Sequence, residues 1–163
     1  MSIRTTAKAL ILRDGCILLH RCLDEKSGIL YHELPGGGQH TGEPLEEALK
    51  REVLEETGLT IANPRLAALA EEIMDDEDLI ARFPDYFHRL FCIFLADLAD
   101  VPALPPTEAD QDQVETLWVP LEEADKLPFR PRALEGKVSQ IVQGVPVYLG
   151  CSRLSLRSPS GPV

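Results

Sequence analysis

The feature that most constrains this chain is a glycine turn followed at once by a glutamate-rich helix, within Leu34–Leu59. The turn is a proline with three consecutive glycines, and six glutamates occur between positions 43 and 56. Glu52, Glu55 and Glu56 are spaced i, i+3 and i+4, so they fall on one face of a helix. Like charges at this spacing destabilise a helix unless a positive charge lies among them. The stretch therefore indicates that something positive sits between these three carboxylates.

The overall charge narrows the classes of ligand. The chain has 163 residues, enough for one domain with its own core, and a formal net charge of −11. A negative field repels phosphate, which argues against binding to nucleic acid polymers or to anionic membranes. A divalent cation can still bridge an acidic protein to a phosphate ester. The charge is therefore compatible with a metal-dependent phosphate site.

Nothing in the sequence predicts export or insertion into a membrane. The N-terminus lacks a long apolar segment, and no apolar run approaches ~18 residues. The four cysteines, at positions 16, 22, 92 and 151, show neither CxxC spacing nor a clustered histidine. We therefore expect a cytoplasmic protein whose thiols are reduced and mostly buried.

Three strands are predicted before the acidic helix, at residues 3–13, 16–22 and 29–34. Asp14-Gly15 between the first two is a strong signal for a two-residue hairpin. The helix is expected to begin near Glu43, with Pro44 in its first turn, and to end at Gly58. An apolar stripe at helical spacing predicts the face that docks on the core: Leu45, Ala48, Leu49 and Val53.

The second half is predicted to hold four strands, a short helical turn after residue 120 and one longer helix. The strands are expected at 65–74, 86–98, 114–121 and 145–149, and the helix at 131–143. An acidic segment at 75–85 is expected to be a solvated loop, and 100–113 a proline-rich loop. Residues 1–151 are expected to form one domain, with a flexible tail at 152–163.

The chemistry of the acidic face suits magnesium. Mg²⁺ prefers hard oxygen ligands and commonly bridges carboxylates to substrate phosphates. Carboxylates at i, i+3 and i+4 supply such ligands on a rigid element, and the glycine turn adds backbone groups that can approach a metal or a phosphate. A bound metal then acts as a Lewis acid and activates water. The combination predicts hydrolysis of a phosphoanhydride.

The spacing resembles a complete Nudix box, the signature of the Nudix hydrolase family. Its fixed positions are filled over 23 residues by Gly37, five residues, Glu43, seven residues, and then Arg51-Glu52-Val53-Leu54-Glu55-Glu56-Thr57-Gly58-Leu59. Pro35-Gly36 and the later segment Trp118–Leu121 also fit. The resemblance implies an α/β fold, with an α/β/α sandwich around a mixed β-sheet. It also implies attack of water on a diphosphate linked to a moiety X.

The resemblance assigns the metal site to the box. Glu52 and Glu56 would be the main Mg²⁺ ligands, and Glu55 would complete the cluster. The backbone carbonyl of Gly37 is a further candidate ligand. Mn²⁺ is a possible substitute for Mg²⁺ at such a site. These assignments follow from the family pattern, position by position.

The resemblance also assigns supporting roles. Arg51 is expected to pair with a box glutamate, and Glu55 at i+4 is the geometric choice. Glu43 would support the arrangement of loop and helix, and Gly36 and Gly38 would shape the turn. In this scheme Arg51 positions a carboxylate and does not itself touch the substrate.

The general base is open at this stage, because in this family it lies either in the box or in a later loop. Glu55 is the candidate within the box. Four acids before Trp118 are the other candidates: Glu108, Asp110, Asp112 and Glu115. Arg82, Arg89 and Arg130 could meet substrate phosphates, although their spacing singles none of them out. The four histidines are isolated and are expected to be strand or loop residues.

The substrate and the oligomeric state are open as well. A small-molecule nucleoside diphosphate derivative is expected, either a nucleoside triphosphate or a nucleotide sugar such as ADP-ribose. The alternative is a catalytically silent binding or regulatory module of the same fold. Such modules usually lose a box glutamate or the arginine, and this chain keeps them all. A homodimer is expected only because the family is often dimeric.

Overall fold

The structure is a computed structural model that describes residues 3–108, 112–144 and 147–155. Its elements within these ranges, in chain order, are β1 (Arg4–Arg13), β2 (Cys16–Asp24), β3 (Ile29–Glu33), α1 (Leu45–Thr57), β4 (Ile61–Met74), α2 (Glu77–Arg82), a 3-10 turn (Pro84–Tyr86), β5 (His88–Leu98), β6 (Gln113–Pro120), α3 (Leu121–Ala124), a second 3-10 turn (Arg132–Leu134), α4 (Val138–Gln143) and β7 (Val147–Leu154). The predicted order of three strands and a helix before residue 60 is confirmed.

The strands form one mixed sheet with the order β3-β2-β1-β5-β4-β7, and β6 pairs with β2 beside this path. β1 is parallel to β5, and β4 is parallel to β7. The remaining pairs are antiparallel. The predicted mixed α/β fold is confirmed.

Alternation along β1 separates the two faces of this sheet. Ala7, Ala9 and Ile11 point to one face and pack with Leu49 and Val53 of α1. Burial of these two helix side chains stabilises the docking of α1 by about 1.5–3 kcal/mol each. The opposite face carries a second cluster, which α4 and its preceding turn cover with Leu134, Val138 and Ile141. Helices on both faces give the expected α/β/α sandwich.

The two boundary signals around the hairpin and the helix have clear physical causes. Asp14 and Gly15 have φ values of 51° and 76°, the conformation that a two-residue hairpin turn needs. Pro44 lies just before the first helical residue, and Gly58 ends α1 with a φ of 71°. Helix α1 therefore starts two residues later than the sequence suggests and ends where it predicts.

The expectation of a solvated loop at 75–85 is wrong. Asp76 caps a helix there, because its carboxylate accepts hydrogen bonds from the backbone N–H groups of Asp78 and Leu79. Leu79 is buried against Met74 and Leu154 in a third small cluster. The acidic residues of the first turn also suit the positive end of the helix dipole. The burial of Leu79 thus stabilises a helix within a segment that is otherwise acidic.

The larger of the other differences from the predicted boundaries concern β4, the second predicted helix and β7. β4 starts at Ile61, since the irregularity between Ala62 and Arg65 accommodates a proline inside the strand. The predicted helix 131–143 is broken into a 3-10 turn and α4, with Gly136 at a φ of 69° between them. β7 runs to Leu154, past the expected domain boundary at 151, while residues 156–163 of the expected tail lie outside the described ranges.

The cysteines agree in part with the prediction of reduced and mostly buried thiols. All four cysteines are free; Cys22 and Cys92 are buried, Cys16 is half-buried and Cys151 is exposed. None of the helices in the described ranges combines the length and the apolar composition needed to cross a bilayer.

Candidate active site

The glycine turn lies against the backbone of β1. The amide of Ala9 donates to the carbonyl of Pro35 at 2.8 Å, and that of Ala7 to the carbonyl of Gly37 at 2.9 Å. A Cβ atom on Gly36, whose φ is 121°, would lie 2.2 Å from the carbonyl oxygen of Ala7. Glycine is therefore required at this position by close approach of two backbone segments.

The next two glycines make room for charged side chains. A Cβ atom on Gly37 would lie 2.2 Å from Oε2 of Glu52, and one on Gly38 would lie 2.2 Å from a guanidinium nitrogen of Arg4. The turn thus brings a box carboxylate and a cation from β1 together. The carbonyl of Gly37 already accepts one hydrogen bond from β1, so a metal would use its second lone pair.

Arg51 is the positive charge among the glutamates. It donates twice to Glu43, from Nε at 2.8 Å and from Nη2 at 3.0 Å. Nη1 donates to Glu52 at 2.8 Å and to Glu55 at 3.1 Å, and Nη2 also reaches the carbonyl of Gly38 at 3.1 Å. The predicted pairing with Glu55 is present. The bidentate pairing with Glu43 was not predicted, because the loop before α1 folds back over a separation of eight residues.

Glu43 joins the loop to the helix. Besides holding Arg51, its carboxylate accepts a hydrogen bond from the backbone N–H of His40 at 3.0 Å. The hydrogen bonds from Arg51, then that from the His40 amide, lower the pKa of Glu43 to about 2. The expected role of Glu43 in supporting the loop–helix arrangement agrees with these contacts.

The lowered pKa of Glu43 predicts a pH dependence of stability. Because the folded-state pKa lies below the ordinary 4.5, the stabilisation is present above about 4.5 and is lost as the pH falls toward about 2. In urea unfolding at pH 2 to 6, the Glu43→Gln variant is expected to show a shallower rise of the unfolding free energy with pH than the wild type. Equal slopes for the two proteins would contradict this pairing.

Glu56 is buried and held from two sides. Its side chain is 5% exposed, and its Oε2 accepts from the backbone N–H of Gly36 at 2.7 Å and from Nε2 of His20 at 3.1 Å. The sequence predicted His20 only as a strand residue. No signal marked its contact with the helix, because the contact depends on how the sheet packs against α1.

The pKa of Glu52 depends on its burial and on the charges around it. Burial raises its pKa, Arg51 opposes the shift, and the charges of Glu56 and Glu55 raise it further. Such mutual repulsion is relieved when a divalent cation binds between carboxylates. Within the described ranges, no three His, Cys, Asp or Glu side chains are already arranged as a metal site. In the box, Nη1 of Arg51 is bonded to both Glu52 and Glu55.

A cavity of about 370 Å³ extends from the box across the sheet. Glu52 and the three glycines of the turn line one end of it. Four cations line the cavity: Arg4, Lys8, Arg89 and Arg130. Its apolar and aromatic lining comes from Tyr31, Met74, Leu79, Phe83, Tyr86 and Leu154. The three arginines that the sequence left open therefore separate: Arg89 and Arg130 line the cavity, whereas Arg82 stacks on Phe83.

The floor of this cavity is ionic. Nζ of Lys8 donates to Glu33 at 3.2 Å, and both side chains are largely buried. Burial alone would raise the pKa of Glu33, but the charges of Lys8 and Arg89 lower it on balance. Arg89 also pairs with the buried Glu72. Of these residues only Arg89 was a candidate from the sequence, as one of three arginines that could meet substrate phosphates. The other three lie at strand positions that carry no motif.

The candidate general bases are dispersed. Asp112 lines the cavity and accepts from the hydroxyl of Tyr31 at 3.1 Å, whereas Glu115 pairs with Arg21 at 3.0 Å on the surface. Glu55 is bound to Arg51, as described above. Asp110 lies outside the described ranges.

The proline-rich loop docks on the end of the box helix. The amides of Thr107 and Glu108 donate to the carbonyl of Glu55 at 2.8 and 3.0 Å, and that of Leu104 donates to the carbonyl of Gly58 at 2.9 Å. These bonds satisfy carbonyl groups that a helix end leaves unpaired. A Cβ atom on Gly58 would lie 1.7 Å from the carbonyl oxygen of Leu104. The loop therefore fixes the C-terminal end of the site.

The comparisons with known proteins decide the family. The NUDIX domain family matches residues 3–137, which is most of the chain. This chain belongs to the Nudix family. The resemblance inferred from the box is thus confirmed.

Individual relatives cover less of the chain. Nucleoside triphosphatase NudI of Salmonella heidelberg (strain SL476) is 46% identical over 57 residues, which are 34% of this chain and 40% of that protein. The chain thus covers less than half the length of the curated relatives that it matches.

Solved structures agree over longer ranges. A MutT NUDIX hydrolase from Burkholderia pseudomallei is 28% identical with a TM-score of 0.56, over 75% of this chain and 86% of that one. The MutT protein from Bacillus halodurans has a TM-score of 0.64 over 90% of this chain and 87% of that one. At 19% identity, this second likeness concerns the fold alone.

Proposed function

We propose that this Nudix protein is a Mg²⁺-dependent pyrophosphohydrolase that cleaves the diphosphate of a nucleoside diphosphate derivative. The observation that supports the proposal is that the Nudix box adjoins a cavity lined by cations. Glu52 of the box and the glycine turn lie at one end of a cavity that four cations line, and two of these cations, Lys8 and Arg89, are paired with carboxylates. An acidic chain with this local arrangement can bind a metal on one side and an anionic substrate on the other.

The metal would be held by the box. Glu52, Glu55 and Glu56 would supply carboxylate oxygens, and the carbonyl of Gly37 a further one. Within the described residues, both hydrogen bonds of Glu56 fall on Oε2, so Oε1 remains for a ligand. When bound, Mg²⁺ supplies Lewis acidity and lowers the pKa of water, and Mn²⁺ offers similar chemistry.

The chain's own residues supply binding and orientation. Arg51 holds Glu52 and Glu55 by hydrogen bonds and thereby fixes their rotamers. Arg4 and Arg130, the two cavity cations that have no carboxylate partner within the described residues, would neutralise the phosphates of the substrate. The guanidinium of Arg130, stacked 3.8 Å from the ring centroid of Tyr31, also offers a flat surface for a base. Glu55 and Asp112 are the acids best placed to accept a proton from water, since one belongs to the box and the other lines the cavity.

We favour a nucleoside triphosphate as the substrate. The support is the match to relatives named nucleoside triphosphatase, which extends over 57 residues. A nucleotide sugar is the second substrate class of the same reaction. Residence in the cytoplasm and assembly as a homodimer stay predictions of the sequence.

A substrate screen tests this proposal. The wild-type protein is incubated with each nucleoside triphosphate and with ADP-ribose in Mg²⁺, and phosphate is then measured. Inorganic pyrophosphatase is added for the triphosphates, which release pyrophosphate, and phosphatase for ADP-ribose, whose internal diphosphate has no terminal phosphate. We expect turnover of at least one triphosphate. Turnover of ADP-ribose alone would redirect the substrate class, and turnover of none would favour the silent binding module.

A further inference from the structure

A chain of hydrogen bonds crosses from β6 through β2 to the box helix. The side-chain amide of Gln113 donates to Oγ1 of Thr116 at 3.0 Å, and that oxygen lies 2.8 Å from Nδ1 of His20. Nε2 of His20 then lies 3.1 Å from Oε2 of Glu56. None of the three residues before Glu56 belongs to the Nudix box. The chain links an exposed strand to the most buried box carboxylate.

The direction of this chain follows from what each group can do. A carboxylate can only accept, so Nε2 of His20 must carry the hydrogen that lies toward Glu56. Nδ1 can then accept from the hydroxyl of Thr116, because that oxygen already receives the hydrogen of Gln113. Every group thus donates toward Glu56, and neighbouring bonds in such a series strengthen one another.

The burial of His20 and Glu56 indicates that their hydrogen bond has a role besides packing. His20 is 2% exposed and Glu56 is 5% exposed, and the flanking side chains of Ile17, Leu18 and Leu19 are apolar. A leucine would fit a strand position of this kind without a polar partner. Burying a polar ring beside a carboxylate is favourable only while both are hydrogen-bonded, so the pair needs its geometry to be kept.

We propose that His20 is a positioning residue of the metal site, with Thr116 behind it. It holds Oε2 of Glu56 in place, together with the amide of Gly36, and so presents Oε1 to the metal. This inference depends on the proposed metal site for its consequence, but the hydrogen-bond chain itself can be tested without metal. Residues that orient a metal ligand typically change metal affinity about 10- to 100-fold when they are removed.

The test has a metal-free part and a metal-binding part. In metal-free protein, long-range proton–nitrogen NMR of the His20 ring reports which nitrogen carries hydrogen. Mn²⁺ binding is then measured by electron paramagnetic resonance for the wild type and for His20→Leu, His20→Gln and Thr116→Val. The His20→Gln amide can still donate to Glu56, whereas leucine cannot. His32→Leu is the matched control, because His32 is also buried on an adjacent strand but bonds to the carbonyl of Pro128.

The outcomes separate this role from the proposed function. We expect hydrogen on Nε2, Mn²⁺ affinity lowered about 10- to 100-fold in His20→Leu, a smaller loss in Thr116→Val, and recovery in His20→Gln. A ring with hydrogen on Nδ1 alone overturns the positioning role and leaves the metal site untouched. The positioning role is also overturned if a folded His20→Leu variant binds Mn²⁺ with wild-type affinity, or if His32→Leu loses as much Mn²⁺ affinity as His20→Leu. A wild type that binds no Mn²⁺ overturns the metal site and this role together, even with hydrogen on Nε2.

Discussion

The Glu56→Gln variant is expected to lose about 100- to 1000-fold in kcat while it keeps its fold. The substitution removes one negative charge from the proposed metal site and keeps nearly the same shape. If it removes roughly 3–4 kcal/mol of transition-state stabilisation, as a metal used as Lewis acid can supply, the rate falls by this factor. The amide oxygen of glutamine can still accept from Gly36 and His20, so the thermal midpoint should change little.

The measurement is steady-state hydrolysis of the substrate that the screen identifies, at saturating Mg²⁺, with a thermal melt of each protein. Glu123→Gln is the matched control, because the exposed side chain of Glu123 in α3 pairs with Lys126 and has no contact with the box in the described structure. It should keep wild-type kcat. If Glu56→Gln keeps more than a tenth of the wild-type rate, Glu56 is not a metal ligand that the reaction needs.

The second large effect is expected from Arg51→Met, and it concerns stability. Arg51 is the partner of Glu43, Glu52 and Glu55, whose side chains are between 16% and 29% exposed. Removal leaves three carboxylates close together and partly out of water. Removing one partner of a fully buried pair is destabilising by about 3–5 kcal/mol, and an exposed pair contributes about 0–1 kcal/mol. We therefore expect a loss of about 2–3 kcal/mol here.

Urea unfolding at pH 7 measures this loss directly, and it should appear as a fall in the thermal midpoint of about 5–10 °C. Arg65→Met is the control, since Arg65 pairs with Asp97 but both side chains are at least half exposed. Its effect should be much smaller, because exposed ion pairs contribute little to stability. Equal losses in the two variants would mean that the Arg51 cluster is no more than a surface ion pair.

The local signals in the sequence were sufficient for the central elements of the fold. Asp14-Gly15 fixed the hairpin because few residues adopt two successive positive φ values. The stripe with Leu49 and Val53 fixed the buried face of α1, and Gly58 its end. These features depend on neighbours within a few residues, so a sequence is enough to predict them.

Features that depend on distant residues escaped prediction. α2 is stabilised because Leu79 packs against Met74 and Leu154, and no pattern in its acidic sequence predicts that contact. The Arg51–Glu43 pairing needs the loop to fold back, and His20 meets Glu56 only through the packing of the sheet against the helix. The positive charge that the acidic face requires was predicted to be a metal, but in the structure the adjacent Arg51 also supplies it. A metal and Arg51 can both supply this charge, with Arg51 restraining the carboxylates that the metal would bind.

The claim that these carboxylates work through a metal is tested most directly by metal removal. The purified protein is treated with a chelator, desalted into chelator-treated buffer, and assayed with a nucleoside triphosphate before and after Mg²⁺ is added back. We predict loss of nearly all turnover without metal and full recovery with Mg²⁺, and no recovery in Glu56→Gln. Undiminished turnover in the chelator-treated wild type would contradict the account.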